Sequence, residues 1–107
     1  MAWKMKRVID TSEVLGIVET PDGVREVCAA ADAGYDDGEG RLVVKLDAFL
    51  RTTDVRAKER RVPAAWLPKP EIVRESVGPD DAVDLARDIF QRWVRKVREA
   101  APTLSHH

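Results

Sequence analysis

The densest collection of ligand-type oxygens in the chain lies between Asp32 and Gly40, where Asp32, Asp36, Asp37 and Glu39 alternate with Gly34, Gly38 and Gly40. Such a composition suits a hard cation such as calcium. An EF-hand loop, however, distributes its ligands over twelve positions and requires glycine at the sixth; counted from Asp32, the sixth is Asp37 and the twelfth is Val43. Gly38-Glu39-Gly40 also lacks the third glycine of a dinucleotide fingerprint, and it follows a polar stretch instead of a buried strand. The segment is therefore read as an acidic turn or mobile hairpin loop, with neither metal nor cofactor assigned to it.

Nucleophilic chemistry fares no better. Cys28 is the only cysteine, it sits in the apolar run Val27-Cys28-Ala29-Ala30-Ala31, and the only histidines are the adjacent His106 and His107. An internal disulfide is excluded, and a buried small hydrophobe is the expected role of the thiol. Ser12, Ser76 and Ser105 lack a nucleophile-elbow context. The neighbouring pairs Asp36-Asp37 and Asp80-Asp81 do not by adjacency acquire the geometry or separated proton affinities of general acid and base. No catalytic residue is assigned, and a non-enzymatic protein is expected.

Binding is the remaining class. Arg51, Arg56, Lys58, Arg60 and Arg61 form one basic cluster, within residues 51–61, and Arg92, Arg95 and Lys96 belong to a second, within 87–98. Arginines can contact phosphates and Trp66 or Trp93 can stack on an unpaired base. Against this, Asp54, Glu59 and Asp88 interleave with the cations, the formal net charge is only −1, and no helix-turn-helix, zinc-finger or RNA-binding strand pattern is present. Nucleic-acid or regulatory binding is kept as the alternative. The first reading is a protein-interaction or assembly module, with Trp66, Leu67, Phe90, Trp93, Val94 and Val97 as its candidate interface. Its expected partner is a protein, with a second copy in a homodimer as one form, and no membrane partner is expected.

The elements that must position these residues are led by a helix over Pro79–Ala100. Ala82, Leu85, Ala86, Ile89, Trp93 and Val97 recur at helical spacing, and Val83, Phe90, Val94 and Ala100 broaden the apolar face. Pro79 suits the start, Asp80 or Asp81 the cap, and acids at the beginning with Arg92, Arg95, Lys96 and Arg98 at the end match the terminal partial charges. A face this wide is expected to pack first on the chain's own sheet. Strands are expected over Trp3–Ile9, Val14–Glu19 and Val24–Ala30, the last two joined at Thr20-Pro21-Asp22-Gly23, and over Arg41–Leu50. Residues 51–61 suit a charged edge strand, and Glu71–Val77 a short strand or helical turn.

These elements predict an α+β fold: a small antiparallel sheet or partly closed barrel of three to five strands, packed by a long C-terminal helix. One domain over 1–107 is expected, with a β-rich body at 1–62, a Pro-rich crossover at 63–78, the amphipathic helix at 79–100 and a flexible tail at 101–107. Lys4, Lys6 and Arg7 are followed by Asp10-Thr11-Ser12-Glu13 instead of an apolar run, so a cytoplasmic location is expected by elimination.

Overall fold

The computed structural model describes residues 5–21, 23–51, 60–61, 67 and 69–100. Along the chain these form β1 (Lys6–Thr20), β2 (Gly23–Asp36), β3 (Arg41–Arg51), β4 (Arg60–Arg61), β5 (Glu71–Arg74) and α1 (Ala82–Ala100). Every strand pairing is antiparallel, in the order β1-β2-β3, with β4 and β5 sharing the far side of β3. β4 lies opposite Phe49 and Leu50, while β5 lies opposite Leu42 to Lys45. Five strands thus fill four rows of an α+β fold whose sheet stays open and carries α1 on one face.

Both hairpins are set by local chemistry. Thr20 pairs with Gly23 across a two-residue connection, and the Thr20 hydroxyl donates to the Gly23 carbonyl at 2.8 Å. Gly23 has φ +116°, a conformation that side chains with a Cβ rarely adopt. At the second hairpin Asp36 pairs with Arg41, and the Asp36 carboxylate accepts the Gly38 amide at 2.9 Å and the Glu39 amide at 3.4 Å. This is an Asx-type turn, which uses one of the four carboxylates for backbone capping. Gly40, at φ +62°, lets the chain pass close to Val77, whose amide donates to the Gly40 carbonyl at 2.8 Å. A Cβ there would lie 3.2 Å from the Val77 carbonyl oxygen.

The strands are longer than their propensities predict. The acidic turn is shorter than expected, confined to residues 37–40: β2 continues to Asp36, because Ala31, Ala33 and Tyr35 are buried in the core at alternating positions. Packing overrides the weak strand preference of alanine, glycine and aspartate. β1 likewise runs unbroken from Lys6 through the polar stretch Asp10-Thr11-Ser12-Glu13, which occupies the sheet margin where polar side chains stay in solvent. Its register shifts twice, between Arg7 and Ile9 and between Val14 and Gly16, leaving a regular run from Ile9 to Val14.

Core packing follows the two periodicities. Leu42, Val44, Leu46, Ala48 and Leu50 of β3 alternate into the core, facing Ile89, Phe90, Trp93 and Val97 of the helix. Each such Leu, Ile or Val contributes about 1.5–3 kcal/mol when removed from water. Ala29, Ala31 and Ala33 of β2 share this core, small residues on the sheet set against large ones on the helix. On the opposite face Cys28 is paired laterally with Val14 and Phe49 and is buried, as its apolar sequence context predicts.

The helix starts at Ala82, the first residue of its apolar periodicity. Asp81 immediately precedes it: its carbonyl accepts the Leu85 amide at 2.9 Å, and its own amide donates to the Gly78 carbonyl at 3.1 Å. Pro79 and Asp80 belong to the preceding turn, and Ala100 is exposed instead of widening the apolar face. The carbonyl of Val77 also accepts the Tyr35 hydroxyl, so the approach to α1 is tied to both strands flanking the second hairpin.

Candidate functional sites flanking the helix

α1 lies over the sheet and leaves a depression along each of its sides. The first, of about 450 Å³, is lined by Val8, Ile9, Asp10, Thr11, Ser12 and Glu13 of β1 and by Arg87, Phe90 and Gln91 of the helix. Successive residues of a strand point to opposite faces, so a cavity lined by six in a row runs along the strand's margin instead of over one face. That margin is open: β1 pairs with β2 on one side and with no other strand among the described residues. The regular run Ile9–Val14 coincides with this groove. Its charges are of both signs, with Arg7 paired to Asp10 at 3.5 Å and to Asp32 at 3.1 Å, and Arg98 reaching Glu13 at 4.0 Å.

The second depression, of about 120 Å³, lies between α1 and β5 and is lined by Leu46, Ile72, Ile89 and Trp93 together with Lys69, Arg74, Arg92 and Lys96. Its apolar base is continuous with the core, since Leu46, Ile89 and Trp93 are all buried. Its rim carries only positive charge. The Nε1 of Trp93 is buried and has no hydrogen-bond partner among the described residues.

The sequence candidates are dispersed by this arrangement. Phe90, Trp93, Val94 and Val97 are core residues, each below 5% exposed, and so are corrected from interface candidates to the chain's own helix–sheet packing. Their physical role is the first one their periodicity implied, burial against the sheet. Leu67 packs against the same core at half-buried exposure, whereas Trp66 lies outside the described residues. Arg56 and Lys58 also lie outside them, and Arg60 and Arg61 are placed in β4. Arg51 pairs with Glu26 at 3.2 Å across the register of β2 and β3. Arg92 and Lys96 do converge, but with Lys69 and Arg74 instead of with Arg51, and the exposed Arg95 does not line that pocket.

Sequence reasoning missed the open margin of β1 because it divided that strand in two, and it missed Lys69 and Arg74 because neither stands in a run of cations. The spacing of Arg92 and Lys96, four residues apart on one helical stripe, was the available signal for the second site. In the acidic segment Asp32 pairs with Arg7 and Asp36 caps its turn, and no group of three or more His, Cys, Asp or Glu converges among the described residues. Burial, then the nearby Asp37 and Asp36 carboxylates, push the Tyr35 phenol above its ordinary range. Among the described residues no helix is long and apolar enough to cross a membrane. No protein-family model, curated protein or solved structure matches this chain.

Proposed function

We propose that this protein is a small non-enzymatic interaction module that assembles by strand addition at β1, with a second copy of itself as the partner. The observation that carries the reading is the coincidence of an open strand margin with a groove along it: Ile9–Val14 is regular, paired on one side only among the described residues, and bordered by Arg87, Phe90 and Gln91. An unpaired strand presents a row of amides and carbonyls that another extended segment satisfies. A second copy suits this margin because its charges are self-complementary in the antiparallel sense. Two-fold pairing about Thr11 sets Asp10 opposite Ser12 and Glu13 opposite Ile9 of the other copy, so no like charges face each other directly, and Arg7, just beyond the run, lies diagonally across from Glu13. The two register shifts confine pairing to the run between them.

Size-exclusion chromatography with light scattering tests the assembly. The parent protein is expected to be a dimer whose fraction rises with concentration. Thr11→Lys, at an exposed position on the two-fold axis, places two lysines directly opposite each other and is expected to give a folded monomer with an unchanged circular dichroism spectrum. A parent that stays monomeric at high concentration, or a dimer indifferent to the two lysines, defeats the proposal. The nucleic-acid alternative rests on the exposed Arg92, Arg95 and Lys96, and salt-dependent binding of labelled DNA or RNA is its test.

A further inference from the structure

We propose that the pocket between α1 and β5 binds a small organic anion, a carboxylate or phosphate carried on a compact apolar body. The site is independent of strand addition at β1, on the other side of the helix.

Three observations converge on it. Lys69, Arg74, Arg92 and Lys96 come to one rim from the approach to β5, from the end of β5 and from two positions on α1. No acidic side chain lines the pocket. Arg92 pairs with Asp88 at 2.7 Å on the exposed helix surface, while Lys69, Arg74 and Lys96 have no ion pair among the described residues. Like charges gathered around one cavity repel each other, and a single anion placed among them reverses the sign of that interaction. A base formed by Leu46, Ile72, Ile89 and Trp93 keeps water from one side and strengthens the field an anion meets.

The Trp93 indole lines the base of the pocket and reports on its occupation. Its Nε1–H only donates, and a buried donor without an acceptor is a costly arrangement that native proteins rarely leave unmatched. The volume limits the apolar body attached to the acid group: about 120 Å³ is below the roughly 150 Å³ cavity that accommodates one benzene ring, so a short alkyl chain fits. A nucleic-acid backbone fits the surroundings less well, because Asp84, Asp88 and Glu99 break the cationic surface of the helix on either side of Arg92 and Lys96.

Heteronuclear NMR of the full chain tests the site, with the Trp93 indole signal identified by its loss in Trp93→Phe. Butyl phosphate or butyrate is expected to shift that signal saturably, together with the amides of Lys69, Arg74, Arg92 and Lys96; comparison of the two tells a phosphate from a carboxylate ligand. Arg74→Gln combined with Lys96→Gln, both exposed, is expected to leave the melting temperature unchanged and to weaken binding by about tenfold for each cation removed. Absence of a saturable shift with either probe, or a shift unaffected by the double substitution, overturns the proposal. So does an equal response to butanol, which lacks the charge, or to inorganic phosphate, which lacks the apolar body. Tighter binding of a single-stranded oligonucleotide through the same side chains overturns it in favour of a polyanion surface.

Discussion

The two sides of α1 are built from the same helix and the same core, yet they present different chemistry. Toward β1, Arg87, Phe90 and Gln91 face a strand margin whose distinguishing property is its backbone. Toward β5, Arg92 and Lys96 face side chains, Lys69 and Arg74, of their own sign. The difference arises from what occupies each end of the sheet. β1 is long and, among the described residues, pairs on one side only, so main-chain groups dominate its side, while the other end of the sheet carries the four-residue β5, where side chains line the pocket. A mixed-charge groove beside open backbone suits a polypeptide, and an all-cation rim around a small apolar hollow suits a small anion.

Trp93→Ala is the largest perturbation of this comparison, because the indole is 3% exposed and belongs to the core that carries the helix. It is expected to lower unfolding stability by about 3–5 kcal/mol in chemical denaturation and to abolish both sites together. A smaller loss would mean that the helix is held chiefly by its β1 side.

Tyr35→Phe acts on both sides from a distance. Removing the hydroxyl leaves the Val77 carbonyl without that donor and is expected to lower the melting temperature by less than Trp93→Ala does. Tyr35 is the only tyrosine, so tyrosinate absorbance reports this group alone. Its folded pKa is raised, so the stabilisation linked to the neutral phenol is fully present below pH 10.0 and is lost as pH rises through the folded value. The titration midpoint is expected above 10.0 in the native protein and at the ordinary tyrosine value in denaturant.

The smallest effect sharpens the cationic side. Asp88 and Arg92 form an exposed pair one helical turn apart, expected to contribute only about 0.2–0.5 kcal/mol in a double-mutant cycle. Asp88→Asn releases Arg92, so anion affinity in the pocket is expected to rise while groove-dependent dimerisation is unchanged. A change in dimerisation would show that the two sides are coupled through the helix.

Much of the framework is legible in the sequence because it rests on strong periodicity. The apolar face of α1 identifies Ala82, Ala86, Ile89, Phe90, Trp93, Val94 and Val97, all buried in the structure, and the alternation of Leu42, Val44, Leu46 and Ala48 identifies the core side of β3. The first hairpin is legible in Thr20-Pro21-Asp22-Gly23, with Asp22 itself outside the described residues. What periodicity does not convey is the continuity of a strand through residues with weak local preference. Ala31 to Asp36 extend β2 because a helix distant in sequence covers their small side chains, and Asp10 to Glu13 extend β1 because a sheet margin tolerates polarity. Both sites depend on such non-local facts. Lys69 and Arg74 acquire meaning only when β5 sets them beside Arg92 and Lys96, and the open margin exists only because β1 ends the sheet.

The unequal occupation of the two ends of the sheet also sets a stoichiometry. The end formed by β4 and β5 is a broken rim of two and four residues, too short and interrupted to template a further strand. Among the described strands only β1 is long enough to do so, which under the proposed strand addition gives each molecule a valence of one. On the proposed strand addition, pairing at that single valence consumes it in both partners, and growth is expected to stop at two copies instead of propagating into a continuous ribbon.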